Sequence, residues 1–119
     1  MLTPAEIIER LEELERDLAD RQAALEDAAE AWTRAKRDKE LAWARAYMAA
    51  QDGAVTTRKA AAILASETIG VEAEARYQAL TKVVAVIETR VSVGQSLLRA
   101  HTRIEAPVSP SGRTYGSGR

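Results

Sequence analysis

The side chains with the most potential for chemistry lie near the middle of the chain. Residues 32 to 59 contain seven Lys or Arg and three Asp or Glu, interleaved with two tryptophans and one tyrosine. Cations neutralise phosphates and aromatic rings stack on bases, so this composition is typical of single-stranded nucleic-acid binding. The candidate contact residues, for nucleic acid or for a protein partner, are Arg34, Arg37, Arg45, Arg58, Lys59, Trp43 and Tyr47.

A simpler interpretation of the same segment stays open. Asp38, Glu40 and Asp52 could pair with part of the basic cluster, while the tryptophans fill a contact between helices. On helical spacing, Arg34, Arg37 and Arg45 fall close to one face, which keeps both interpretations possible.

No arrangement of residues predicts catalysis, a cofactor or a metal ion. The single histidine, His101, is nine and five residues from Ser92 and Ser96, and neither spacing favours a nucleophile–base pair on one helix face. None of the six glycines belongs to a phosphate-binding loop. We therefore expect a protein that is not an enzyme and has no cofactor.

The composition limits the class of protein further. The 119 residues carry a net charge of −1, with 46% hydrophobic, 29% charged and 4% aromatic residues, and no cysteine. A disulfide-stabilised secreted scaffold is excluded, and the sequence has neither a signal peptide nor the run of about 20 apolar residues that spans a bilayer. We expect a cytoplasmic protein that is not secreted and does not bind a membrane.

The start of the chain predicts a long helix. Thr3 and Glu6 form a capping box around Pro4, which favours a helix that begins at about residue 3 and continues to about 51. Apolar residues then recur at three and four residues, which is typical of a coiled coil. This first seam comprises Ile7, Leu11, Leu14, Leu18, Leu25, Ala28, Trp32, Ala35, Ala42, Ala46 and Ala49.

Residues 52–57 predict a turn, with Gly53 in the left-handed conformation after the helix and Thr56 or Thr57 as the next N-cap. A second helix is predicted over about 58–105, and Gly70 and Gly94 on its seam indicate close contact or a bend. Its remaining seam residues are Ile63, Ala73, Tyr77, Leu80, Val84, Ile87, Val91, Leu98 and His101.

These elements predict an all-α fold, a long antiparallel two-helix hairpin or coiled coil over residues 1–106, followed by a flexible tail rich in Pro, Gly, Ser and Arg over 107–119. The second helix is too apolar for one partner helix, so we expect a homodimer that forms a four-helix bundle, or docking onto a larger assembly. The expected oligomer interface comprises Leu80, Val83, Val84, Ile87, Val91, Leu97 and Leu98.

The chain resembles small coiled-coil hairpin proteins encoded by bacteriophages, especially those of actinobacteria. The resemblance is carried by an acidic Leu-rich first helix, the Ala-rich segment 42–47, Val-Thr-Thr-Arg-Lys-Ala at 55–60, and Ser-Leu-Leu-Arg-Ala at 96–100 with Glu105. It covers about residues 3 to 106 and implies a phage origin, hence the host cytoplasm, more than an activity.

Three functions agree with this sequence. The first is a helical adaptor or assembly protein that self-associates and binds a protein partner. The second is an accessory protein of phage DNA metabolism that holds single-stranded nucleic acid at the basic, tryptophan-bearing end of the hairpin. The third is a structural component of the virion, in which the tail would become ordered only on assembly.

Overall fold

A computed structural model describes residues 2–105, and this part of the chain contains three helices and no strand. Helix α1 spans Pro4–Ala49, α2 spans Val55–Ser66 and α3 spans Val71–Glu105. The predicted all-α helical hairpin is confirmed, and helix α1 has nearly the predicted bounds. The predicted tail over 107–119 lies outside the described residues.

The predicted capping box starts helix α1. The Thr3 backbone N–H donates to Glu6 Oε1 at 3.1 Å, and the Glu6 backbone N–H donates to Thr3 Oγ1 at 3.2 Å. The Thr3 carbonyl accepts the first helical hydrogen bond, from Ile7 N–H at 3.0 Å. The capping box thus satisfies two backbone N–H groups that a bare helix end would leave without partners.

The connection from α1 to α2 differs from the prediction in its conformation. Gly53 does not have a positive φ, and its N–H donates to the Ala50 carbonyl at 3.1 Å in a tight turn. The N-cap is Ala54, with extended backbone and no side-chain bond, so the expected cap at Thr56 or Thr57 is wrong. The Ala54 carbonyl already accepts from Arg58 N–H, so the helix starts earlier than a threonine cap requires.

The single second helix predicted over 58–105 is wrong, because a turn at residues 67–70 divides it into α2 and α3. Gly70 has φ +87°, a left-handed conformation that an L side chain rarely adopts. A Cβ built on Gly70 would lie 3.3 Å from the Cβ of Ala35 on helix α1. Gly70 therefore provides both the bend and the close contact that its place on the seam predicted.

One compact unit combines the start of α1, to Asp17, with the part of α3 from Ile87 onward. Its buried apolar side chains are Ile7, Leu11 and Ile87. Gly94 faces Leu11, and a Cβ at Gly94 would come within 2.6 Å of Leu11 Cδ2. The absence of a side chain at Gly94 thus makes the space that Leu11 fills.

The second unit covers residues 18–86 and contains the rest of α1, all of α2 and the start of α3. Trp32 contacts Tyr77, and Tyr47 contacts Arg58, so partner numbers fall as α1 numbers rise, as an antiparallel hairpin requires. The buried residues of this unit are Ala28, Ala62, Ser66 and Val84.

Small residues form the centre of this second unit on helix α2. Ala62 is fully buried, and the buried Ser66 satisfies its hydroxyl by donating to the Ala62 carbonyl at 2.8 Å. Ile63, which the heptad pattern placed on the seam, is 52% exposed, and that expectation is wrong. The turn at 67–70 allows α2 to rotate about its axis independently of α3. The heptad positions extrapolated from α3 are therefore shifted by one residue in α2, where Ala62 is buried in place of Ile63.

Candidate interaction surfaces

Three of the predicted contact residues form one stack at the end of helix α1. Trp43 and Tyr47 are one helical turn apart, and their rings lie nearly parallel with centroids 5.1 Å apart. The Arg58 guanidinium lies 4.2 Å from the Tyr47 ring centroid, and its Nε donates to the Tyr47 carbonyl at 3.1 Å. Arg58 therefore links the first turn of α2 to the end of α1.

This arrangement gives Arg58 an internal role. Its guanidinium is held by one ring face and one carbonyl, so binding a phosphate would compete with both contacts. Trp43 remains 37% exposed on the outside of the stack. Of this stack, Trp43 therefore offers the most exposed ring to an external partner.

A second aromatic pair lies deeper in the same unit. The Trp32 and Tyr77 ring centroids are 4.9 Å apart with planes inclined by 30°, and Lys36 Nζ lies 4.1 Å from the Trp32 centroid. A recess of about 220 Å³ opens beside them, under the turn at 67–70. It is lined by Trp32, Lys36, Lys39, Ile69, Gly70, Val71 and Glu74.

The other predicted cations lie elsewhere on helix α1. Arg34, Arg37 and Arg45 are all exposed. Trp43 follows Arg34 by nine residues and precedes Arg45 by two, so in a helix of 3.6 residues per turn it lies on the opposite side from both. The sequence analysis grouped the three arginines and the aromatic residues in one cluster. The structure separates the arginines from the aromatic stack.

Arg34 forms an exposed ion pair with Glu30, at 3.6 Å and with 76% and 74% of the two side chains accessible. Within residues 2–105, Asp38, Glu40 and Asp52 form no salt bridge with the basic cluster, so the predicted pairing is not found there. Lys59 is exposed on α2. Arg37 and Arg45, both exposed, are therefore available for charges on another molecule.

The residues of the predicted oligomer interface on α3 fall into three groups by burial. Val84 and Ile87 are buried in the hairpin, and Leu80, Val83, Val91 and Leu98 are half-buried. Only Leu97, at 46%, is exposed. Most of this set serves the contact with the rest of the same chain, because α3 buries a wider arc than the seam pattern required.

Other apolar side chains of α3 are exposed instead. Val93 joins Leu97 one turn away, with Arg90 three residues before Val93. In the second unit, Val86 is exposed with Lys82 four residues before it. The exposure of these two valines could have been predicted from the sequence, because both lie off the seam and three or four residues after a cation.

Exposed apolar side chains occur throughout the described residues. Two of them, Leu41 and Met48, lie among the arginines of α1 and were not among the predicted contacts. The large apolar residues with more than a third of their surface accessible are Ile8, Leu41, Trp43, Met48, Val55, Ile63, Leu64, Val71, Val86, Val93 and Leu97.

Titration and metal chemistry have few candidate residues. Hydrogen bonds from the Thr3 backbone and side chain lower the pKa of the Glu6 carboxyl from its ordinary value. His101 is half-buried on α3. Within residues 2–105, no three His, Asp or Glu side chains are grouped as metal ligands, and no helix there combines the length and apolar character to cross a bilayer.

Comparisons with protein-family models, with curated proteins and with solved structures found no significant match to this chain. The resemblance to phage-encoded helical hairpins therefore stays a prediction.

Proposed function

We propose that this chain is a non-enzymatic helical adaptor or assembly protein, which self-associates and binds a protein partner. One observation carries the proposal. Within residues 2–105, eleven large apolar side chains are exposed, whereas six apolar side chains are buried and two of those are alanines. Apolar side chains that lie together on an exposed helix face, as Val93 and Leu97 do one turn apart on α3, are typical of sites that bind other proteins.

The small core supports the same proposal. Helical hairpins with few buried side chains gain stability when a second hairpin or a partner covers the remaining apolar surface. The buried set contains only four large side chains, namely Ile7, Leu11, Val84 and Ile87. We therefore expect association to raise the free energy of unfolding of the chain.

The exposed face of α3 fits a partner of acidic character. In the part of α3 from Ile87 onward, Arg90 accompanies Val93 and Leu97. A second copy of the same face would bring cations against cations, which is unfavourable at an interface. An amphipathic helix with apolar anchors and an acidic rim is complementary to it.

Single-stranded nucleic-acid binding draws less support from the geometry. Arg34 and Arg45 lie opposite Trp43 on α1 and Arg37 lies about 120° from it, so base stacking and phosphate contacts would fall on different faces. Arg58 is already bonded to Tyr47. The phage origin and the host cytoplasm, as well as a place in the virion, remain proposals that depend on the resemblance.

The experiment for the partner surface is affinity capture from expressing cells, with and without nuclease. Wild type is compared with a test variant that combines Val93→Asp with Leu97→Asp. The control variant combines Ser92→Asp with Gln95→Asp, which gives an equal change of charge at exposed positions of the same helix. We expect a nuclease-resistant protein partner that only the first variant loses. Capture that nuclease abolishes would contradict the adaptor and favour the nucleic-acid function.

Self-association is tested separately by sedimentation of the purified chain. The expected result is a species of twice the 13.0 kDa chain mass at micromolar concentration. A stable, soluble monomer over the same range would remove self-association from the proposal.

A further inference from the structure

The outer face of helix α1 carries a second heptad stripe, distinct from the seam inside the hairpin. Its positions recur at alternating intervals of three and four residues, so they lie along one side of the helix. Every member is exposed, including Leu41 at 44% and Met48 at 68%. The outer stripe comprises Asp20, Ala23, Asp27, Glu30, Arg34, Arg37, Leu41, Ala44 and Met48.

This outer stripe lies away from the hairpin contact. Ala28 is buried, whereas Glu30, two residues later and about 200° round the helix, has 74% of its side chain accessible. Charged side chains on the solvent side of a helix are expected in any amphipathic helix, and their spacing alone indicates no further contact. The observation that indicates a further helix–helix contact is the order of the charges along the stripe.

The charges of the outer stripe are ordered along the helix. Its N-terminal half is acidic, with Asp20, Asp27 and Glu30, and its C-terminal half has Arg34 and Arg37, with Arg45 beside Ala44. The sign changes between Glu30 and Arg34, which are joined by the 3.6 Å ion pair. Such a pattern is complementary to itself when one copy is reversed.

We propose that a second copy of this chain packs antiparallel on the outer stripe, with a two-fold axis near residue 32. This register places Glu30 opposite Arg34 of the second copy, and Asp27 opposite Arg37 of the second copy. The symmetry repeats both pairs, as an interface between identical surfaces requires. A parallel copy would oppose like charges.

The same register also pairs a large apolar side chain with a small one. Leu41 falls opposite Ala23 of the second copy, so a large side chain meets a small one twice across the axis. The overlap from residue 20 to residue 44 is about 36 Å long at 1.5 Å per residue. The exposed ion pairs set orientation and register, while Leu41 contributes most of the buried apolar contact.

A polyanion is the weaker occupant of this surface. Its phosphates would gain from Arg34 and Arg37 but would be repelled by Asp27 and Glu30 on the same stripe. A second copy of the chain forms ion pairs with both the acidic half and the basic half of the outer stripe. The inference rests on the proposed self-association and identifies its surface.

The test uses charge reversal and rescue. One variant combines Arg34→Glu with Arg37→Glu, and the other combines Asp27→Arg with Glu30→Arg. Each variant alone opposes like charges in the dimer, so we expect its self-association to weaken at least about 100-fold. A mixture of the two variants restores opposite charges, and we expect it to form a heterodimer.

The matched control combines Arg76→Glu with Arg103→Glu, which changes the net charge as the first variant does but lies off the outer stripe. Sedimentation gives the mass of each sample, and circular dichroism checks that each is folded. We expect the control to dimerise like wild type.

The outcomes separate the surface from the function. Dimers that persist in both reversed variants would overturn the outer stripe as the interface and leave self-association standing. A monomeric wild type would overturn both. Reversed variants that dissociate but form no heterodimer on mixing would also overturn the proposed register. Nucleic-acid binding at low salt that only the arginine variant loses, with the dimer unchanged, would overturn it as well.

Discussion

Gly94 on α3 faces the buried side chain of Leu11 on α1, and a Cβ at residue 94 would lie 2.6 Å from Leu11 Cδ2 and 3.2 Å from its Cγ. Real Cβ atoms do not approach so closely, and so one of the two groups must be absent or must move. The close approach at this point of the hairpin therefore depends on glycine inside a helix, a position where glycine otherwise lowers stability.

The effect of Gly94→Ala should depend on Leu11. Alanine gains about 1 kcal/mol of helix propensity, but the overpacking against Leu11 costs about 1–3 kcal/mol. We expect Gly94→Ala to destabilise the wild type and to stabilise the Leu11→Ala variant. Urea unfolding of the four chains measures this coupling, and an equal effect of Gly94→Ala in both backgrounds would show that the contact does not limit packing.

Two other glycines form a matched pair. Gly70→Ala should destabilise the chain by about 1–2 kcal/mol, because alanine is strained at positive φ and its Cβ would press on Ala35. Gly53→Ala should be neutral or stabilising by up to about 1 kcal/mol, since its φ is not positive and alanine restricts the unfolded chain. Thermal unfolding distinguishes the two, and similar losses for both would argue against the bend at Gly70.

The Arg58 contact predicts a difference between two cations. Arg58→Lys keeps the charge but loses the planar contact with Tyr47 and the Nε hydrogen bond, so we expect a loss of about 1 kcal/mol of stability. Arg45→Lys, at an exposed position of α1, serves as the control and should change little. Near-ultraviolet circular dichroism reports the Trp43–Tyr47 stack. An unchanged signal and stability in Arg58→Lys would mean that the guanidinium does not hold the stack.

The capping box should give the first turn of α1 a dependence on pH. The pKa of Glu6 in the folded chain is below its ordinary value of 4.5, so its contribution is present above that pH and is lost as the pH falls through the folded-state pKa. The protection of the first-turn amides against hydrogen exchange, measured relative to the intrinsic exchange rate at each pH, should therefore fall on acidification. Glu6→Ala should remove this dependence, whereas Glu9→Ala should retain it.

The sequence was sufficient for helix α1 because its signals are local. The capping box of Thr3 and Glu6 needs only neighbouring residues, and so does the seam that begins at Ile7. The turn at 67–70 was harder to predict, because good helix formers flank it and Gly70 could have been a glycine inside a straight helix. Its left-handed conformation occurs where the backbone comes close to Ala35, which is distant in sequence.

The candidate surfaces were predicted less well, for a related reason. The basic residues were grouped by proximity in sequence, and helical rotation separates Arg34 from Trp43. The α3 interface was assigned from apolar spacing alone, which cannot distinguish Val84, buried within the chain, from Val93, exposed on its surface. The order of the charges on the outer stripe of α1 can be read from the sequence, but the exposure of the stripe depends on which face the hairpin buries.

Cysteine cross-linking tests the antiparallel dimer most directly, because the natural chain has no cysteine. In the proposed register, residue 23 faces residue 41 of the second copy, while two copies of either residue are about 27 Å apart, 18 residues along the helix. A mixture of the Ala23→Cys and Leu41→Cys variants should form a disulfide-linked dimer under mild oxidation, and neither variant alone should do so. Absence of the cross-link in the mixture, or equal cross-linking of Ala23→Cys alone, would contradict the account.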